Sequence, residues 1–568
     1  MALNLVNQLG ELNPQLFREI KGRLKPRNIL IAVAMSFLGQ LLLLMAFAGQ
    51  LPVAKETMMV YNRYCTGSTE EYSTIPACLS DGLGGFVINW SLWWQDVFLG
   101  LSLIGIFALL VVGTYMLISD LSQEERRGTL NFIRLTPGST LSILGGKLLG
   151  VPLLLYLVAA LALPLHLVAG MAGHIGLSQI LAFYTVLGAS CLFFFSGALL
   201  FGLVGNWLGG FQAWLGGGAI LLFLSISTSV IDGGMTDYPT DWLTLFNPAI
   251  LLPYLIDSSS LDVVNTYPNG DFWDLLWFYL PLGKTIWMMA GFAILNAGLW
   301  SYWIWQGLNR NFHNPTATLL SKRQSYRLTA CLEVMILGFA LNPQVHEWKS
   351  YAEGLFENLE ILLMFNLILF LGLIAALSPH RQTMQDWARY RHAKRSSRKA
   401  GIMADLIWGK TSPAPVAIFL NLAIASAILL PWILLWSPND YKTPAILGVL
   451  ITVSLIVFYA SIGQLMLLMK TPKRAVWAAT VIGGLIILPP IILEVLSMSP
   501  LVEPGVWLFS AFPWASIQYA AGTSVLFALV GQSLALVLLN LQLTRQLKKA
   551  GESSTKALLS GRMPLEIQ

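Results

Sequence analysis

Hydrophobic positions in this chain come in long unbroken runs, each closed by a short polar segment. A run of about 20 apolar residues, wound as an α-helix, crosses the roughly 30 Å hydrocarbon core of a bilayer. The pattern predicts an all-α, polytopic helical membrane protein with about twelve transmembrane helices in two six-helix halves. In the first half the spans are expected near residues 28–50, 93–119, 146–170, 178–204, 213–231 and 284–307. In the second they are expected near 327–342, 358–378, 415–436, 444–469, 476–497 and 522–544. The seventh is short and carries Glu333. Continuous rather than alternating apolar runs argue against a β-barrel. The first run follows a mostly polar stretch with no short apolar region and small-residue cleavage site. No cleaved signal peptide is therefore expected.

Composition agrees with the pattern. The 568 residues are 56% hydrophobic and 11% charged, where a soluble domain carries about 25% charge. The net charge of +5 matters less than its distribution. With both termini in the cytosol, every Lys and Arg except Lys55, Arg63, Lys284, Lys349 and Lys442 falls on the cytosolic side. This is the positive-inside bias, and it predicts a multi-pass protein of the bacterial inner (plasma) membrane. The outer segments are acidic and rich in Trp and Tyr. Trp90, Trp93 and Trp94, with Trp273 and Trp277, are expected at headgroup level, as aromatic belts are. No basic run with interleaved aromatics points to nucleic acid.

The halves pivot near Asn311–Lys322. They are expected as residues 1–328, with a cytosolic segment at 120–147, and 329–568, with a cytosolic segment at 379–414. NFIRLTPGSTLSI in the first and IWGKTSPAPVAI in the second both pass through a basic residue and Thr or Ser to a proline, Pro137 or Pro413, before a span. Parallel repeats in transporters leave such traces; Pro-punctuated loops also arise without duplication.

The most distinctive stretch is Ser122–Lys147, SQEERRGTLNFIRLTPGSTLSILGGK. Ser122 or Asp120 is expected to cap a short helix, with Gln123, Glu124 and Glu125 in its first turn, facing the positive end of the dipole. Gly128-Thr129 would break that helix and begin another, with Leu130, Ile133 and Phe132 along one side of it. Pro137 would end it, and Lys147 would snorkel at the base of the third span. Such a helix can lie on the membrane surface or insert an apolar edge into a partner's groove.

The run EERRGTLNFIRLTPGSTLSILGGKLLG resembles the permease subunits of the second type of ABC exporter, in which a Glu-rich start, Gly-Thr-Leu, Thr/Ser-Pro and Ile-Leu-x-Gly-Lys follow the second span. The matching residues are Glu124, Glu125, Gly128, Thr129, Leu130, Thr136, Pro137, Ser139, Ile143, Leu144, Gly146 and Lys147. The resemblance implies that this segment docks on separate ABC ATPase subunits, which hold ATP-Mg. It implies contact roles for Glu124, Glu125, Arg126, Arg127, Gly128, Thr129, Leu130, Phe132, Ile133, Thr136 and Pro137, with Lys147 at the base. A weaker counterpart in the second half is Asp405, Trp408, Lys410 and Pro413, which lacks the Gly-Thr-Leu pattern. The N-terminal NPQLFREIKGRLKPRN reads as an amphipathic interfacial helix or as a positive-inside anchor. The function expected from these features is an ATP-driven permease, in one chain or as a homodimer. The alternatives are an ion-coupled secondary transporter and a membrane scaffold.

No catalytic, cofactor or metal site is expected in the chain itself. Trp408-Gly409-Lys410-Thr411 lacks the first glycine of a phosphate loop, because Ala404 stands there, and no strand precedes it. The histidines do not pair at ligand spacing. Cys65 and Cys78 share one outer loop and are read either as a disulfide or as two free thiols. Glu333 is the costliest intramembrane carboxylate. Its partner is expected from Arg327 or from a neighbouring span.

Overall fold

The computed structural model describes residues 13–53, 60–68, 75–82, 85–234, 238–256, 275–342, 350–394, 401–436 and 440–551. Trp273 lies outside them. The chain forms two compact units, Met1–His313 and Asn314–Gln568. It is a multi-pass, all-α membrane protein. Among the described residues, 10 helices are long and apolar enough to cross a bilayer.

In the first unit, α1 (Pro14–Arg23) precedes α2 (Pro26–Ala48), the first span. The second span is α3 (Trp90–Phe107), a π segment at Ala108–Val112, and α4 (Gly113–Arg126). Two short helices follow, α5 (Thr129–Arg134) and α6 (Thr140–Gly150). The remaining long helices are α7 (Leu153–Ala172), α8 (Leu177–Val204), α9 (Gln212–Asp232) and α10 (Ile286–Asn311). The third apolar run is thus two helices, broken at Val151-Pro152, where the proline lacks the N–H the ladder needs.

A buried polar chain fastens α3, α7 and α8 to one another. Ser102 Oγ donates to the Phe98 carbonyl at 2.8 Å. It must therefore accept from His166 Nε2, also at 2.8 Å. That leaves Nδ1 to accept from the Tyr184 hydroxyl at 2.6 Å. His166 is neutral in this arrangement, with both ring nitrogens satisfied, as a buried imidazole requires.

In the second unit α11 (Lys322–Ala340) and α12 (Tyr351–Leu377) precede the shorter α13 (Arg381–Lys394) and α14 (Ile402–Trp408). Then come α15 (Pro415–Leu434), α16 (Lys442–Leu467) and α17 (Arg474–Val495). Two single-turn helices, α18 (Pro504–Trp507) and α19 (Trp514–Ile517), lead to α20 (Gly522–Gly551). The unit boundary lies before the expected 328/329 division because α11 packs against α12 and α15. Of the twelve expected spans, α10 and α11 are helical and of sufficient length but less apolar than the other ten. Trp, Tyr, Asn and Gly dilute α10, and a polar face dilutes α11.

Each unit repeats one packing scheme. Its first long helix packs on the third, the second on the fourth, and the fourth on the sixth. These pairs are α2 with α7, α4 with α8 and α8 with α10 in the first unit, and α11 with α15, α12 with α16 and α16 with α20 in the second.

The long segments before the sixth helix of each unit contain folded, buried turns. In the first unit, 3₁₀ turns at Pro239–Phe246 and Pro248–Tyr254 bury Trp242, Leu245 and Pro248–Leu252. In the second, α18 and α19 bury Trp507, Leu508, Ala511 and Ile517. The two segments share five letters at identical spacing: Pro239, Trp242-Leu243, Pro248 and Tyr254 match Pro504, Trp507-Leu508, Pro513 and Tyr519. Asn247 caps its turn at Ala249 N, and Ser510 does the same at Phe512 N. Among the described residues the only sheet is a hairpin, β1 (Leu276–Trp277) with β2 (Leu280–Pro281). The loop before α3 is closed by a Cys65–Cys78 disulfide, with Cα atoms 4.8 Å apart.

Candidate coupling site

The polar island between the second and third apolar runs folds into a three-helix platform. The helix ending the second span does not stop near residue 119. Glutamine, glutamate and arginine are good helix formers, so α4 runs on to Arg126. Glu124 and Glu125 therefore sit in the last turn of α4, not in the first turn of a new helix. They face the negative end of its dipole, which is unfavourable by itself. Their compensation comes from elsewhere in the unit.

Gly128 then breaks the chain at φ +72°, a conformation that costs a β-carbon-bearing residue energy. Thr129 Oγ1 donates back to the Glu124 carbonyl at 3.1 Å. Helix α5 buries Leu130 and Ile133 in a core built with Leu117 and Leu121 of α4, Ile143, Leu144 and Leu148 of α6, and Leu308 of α10, with Phe312 just beyond it. Its other side is bare: Phe132 is 75% exposed and Leu135, just past its end, 84%. Arg126, Arg127, Thr136 and Pro137 are exposed beside them. The helix ends before Pro137, where Thr136 Oγ1 donates to the Ile133 carbonyl at 2.7 Å. His313 Nδ1 meets the Arg134 carbonyl at 3.2 Å. The Arg134 guanidinium is pushed below its ordinary pKa by burial, partly offset by the nearby Glu125.

Lys147 does not snorkel. Its side chain has 0% exposure. Its Nζ lies 2.7 Å from Asp120 Oδ2, 2.8 Å from Glu124 Oε2 and 3.5 Å from Glu19 Oε1. Arg23 also binds Asp120, at 2.7 Å, and Glu19, at 3.2 Å; Arg18 binds Glu124 at 2.5 Å. Three carboxylates are thus balanced by three cations across α1, α4 and α6. Burial alone would lower the Lys147 pKa, but the surrounding carboxylates outweigh it and raise the value. Ligand oxygens of Glu19, Asp120 and Glu124 lie within 4.8 Å of one another, as metal ligands do. Here the ammonium supplies the positive charge between them.

Helix α1 reaches this cluster because α6 offers a glycine track. A β-carbon at Gly146 would stand 2.8 Å from Asn13 Oδ1 and Leu16 N, and one at Gly150 would stand 2.5 Å from Glu19 Cβ. Asn13 caps α1 through Leu16 N and donates to the Ser142 carbonyl at 2.8 Å. The N-terminal segment is thus a structural part of the platform. Sequence reasoning missed Arg18, Glu19, Arg23, Asp120 and Gly150. The available signal was Glu19, a lone acid among the basic residues of Arg18–Arg27.

The second-unit counterpart is assembled differently. Lys322 is buried at the start of α11, and its Nζ donates to the Leu406 carbonyl (2.6 Å), Ser412 Oγ (2.7 Å) and the Pro413 carbonyl (3.2 Å). Burial pushes its pKa down to about 8, with Asp405 acting in the opposite sense. Asp405 is held by Trp387 Nε1 at 2.6 Å and by Arg391 at 3.0 Å. Tyr326 donates to the Ile407 carbonyl at 2.8 Å, and the Arg323 guanidinium lies over the Trp408 ring. Trp408 and Lys410 are exposed, whereas Pro413 is buried.

No protein-family model, curated protein or solved structure matches this chain.

Proposed function

We propose that this protein is the permease subunit of an ATP-driven exporter of the second ABC type, coupled to separate ATPase subunits that hold ATP-Mg. It forms a translocation path, in one chain or as a homodimer, that opens alternately to either side, with both termini cytosolic in a bacterial inner membrane. The reading rests on one observation above others. Helix α5 presents Phe132 and Leu135 outward while its opposite face is packed among α4, α6 and α10. A partner that grips the outer face moves the base of the second, third and sixth helices together. A driven cycle requires the partner to bind the two conformations with different affinity, and a rigid contact of this kind meets that need. The internal sequence echo and the repeated packing scheme support a two-half design.

The test is purification of the full chain from its native membranes in mild detergent, beside a Phe132→Asp/Leu135→Asp variant. A nucleotide-binding protein retained by the wild type and lost from the variant supports the reading. Failure to recover an ATPase with the wild type overturns it in favour of an ion-driven carrier or a scaffold.

A further inference from the structure

Helix α11 carries a polar stripe on its buried face: Lys322, Ser325, Thr329 and Glu333, all buried. The spacing of three and four residues keeps them on one side of the helix. Each of the first three has matched partners. Ser325 Oγ donates to the Lys322 carbonyl at 2.8 Å and accepts from Asn421 Nδ2 at 3.0 Å. Thr329 Oγ1 donates to Asn421 Oδ1 at 2.9 Å. Glu333 breaks the pattern. It has 0% exposure, and its hydrogen bond is from Asn366 Nδ2 to Oε2, at 3.3 Å. Arg327 does not pair with it. Its Oε1 is buried with no partner, and so is Asn366 Oδ1.

The Asn366 amide cannot turn to supply a better donor. Its Nδ2 also donates to the Leu362 carbonyl at 3.0 Å, which fixes which end carries the hydrogens. The site therefore holds two orphan acceptors and one long amide donor. An ionised carboxylate in such surroundings, without a cation or a full set of donors, costs far more than a neutral acid. One added hydrogen on Oε1 removes the charge and converts one orphan acceptor into a donor.

We propose that Glu333 and Asn366 form a proton-binding site inside the second unit, occupied in this conformation by a proton on Glu333 Oε1. The charged and titratable groups on the packed elements lie elsewhere along them. On α11 they are Lys322, Arg323, Tyr326, Arg327 and Cys331. On α12 they are Tyr351, Glu353, Glu357 and Glu360, on α14 Asp405, and on α16, which packs on α12, Lys442 and Tyr459; α15 has none. Lys322 is about 16 Å from Glu333 along the helix at 1.5 Å per residue. Among the described residues no ion pair reaches Glu333. Release of the proton leaves a bare charge between α11 and α12, so it requires those helices to part or water to enter. The inference is independent of the ATPase reading and concerns a ligand that reading does not use.

The test is infrared spectroscopy of the full chain in lipid nanodiscs, in sodium chloride and in choline chloride. At pH 7 the wild type is expected to show a buried carboxylic-acid carbonyl band, insensitive to the salt, that Glu333→Gln lacks. Asn366→Leu leaves the acid in place and should shift the band's frequency, which also covers the case in which Glu333→Gln fails to fold. Three outcomes overturn the proposal: no difference band between wild type and Glu333→Gln at pH 7, a band unmoved by Asn366→Leu, or a band present in choline and abolished by sodium. The last would assign the site to a monovalent cation.

Discussion

The buried ammonium of Lys147 lies 2.7 Å from Asp120, on the helix that ends the second apolar run. One cation therefore ties the base of one span to the start of the next. Removing one partner of a buried, hydrogen-bonded charge set costs up to about 3–5 kcal/mol, and here it leaves three carboxylates against only Arg18 and Arg23. Lys147→Met should lower the thermal unfolding midpoint of the purified chain strongly. Adding Glu124→Gln to that variant should recover part of the loss.

The two faces of α5 should separate stability from partner binding. Ile133 is packed in the core, so Ile133→Ala should destabilise the chain by about 2–5 kcal/mol. Phe132 is exposed, and Phe132→Asp should change stability by no more than about 0.5 kcal/mol. Paired unfolding curves, read beside ATPase recovery, check both values. The expected pattern is opposite in the two assays.

The glycine track under α1 leaves no room for a side chain. Gly150→Val would drive two methyl groups into Glu19, and overpacking of this kind costs about 1–3 kcal/mol. The expected outcome is detachment of α1 with the spans intact. Limited trypsin digestion should then cut at Lys21 or Arg23 faster than in the wild type, with the remainder of the digest unchanged.

Lys322 makes stability depend on pH in the alkaline range. Its folded-state pKa is lowered to about 8, against about 10.4 in an unfolded chain. Between those values the unfolded state binds more protons, so this group's contribution to stability rises with pH. Below pH 8 both states are protonated and the unfavourable contribution is complete. Unfolding midpoints of wild type should therefore gain on those of Lys322→Met between pH 8 and pH 10. A gap that is constant across the range would contradict the assignment.

The apolar spans were legible in the sequence because burial in lipid demands continuous runs; the clearest departures are the second, which runs on to Arg126, and the third, which breaks before Leu153. The island was legible in its breaks at Gly128 and Pro137 and in Leu130 and Ile133 sharing a face, but Phe132, expected on that same side, points outward instead. Its carboxylates were misplaced because Asp120 and Ser122 look like caps. A cap signal is local, whereas α4 was already propagating from the membrane and met no breaker before Gly128. The cluster around Lys147 was not legible: its members come from α1, α4 and α6, and only the glycines of α6 hint that another helix lies close. The paired turns at Trp242 and Trp507 were hidden for a different reason. Hydropathy averages over a segment, and it passes over five fixed letters spread across a loop.

The π segment at Ala108–Val112 sets the phase of everything beyond it. A π turn holds one more residue than the α-helix around it, and one residue turns an α-helix by about 100°. Deleting a single residue there would let the second span relax into an unbroken α-helix and leave its length nearly unchanged. It would also swing Asp120 and Glu124 about a quarter-turn away from Lys147. The extra residue works as a timing offset: it keeps the part of the helix before it and the part beyond it, each built to its own pattern, in step.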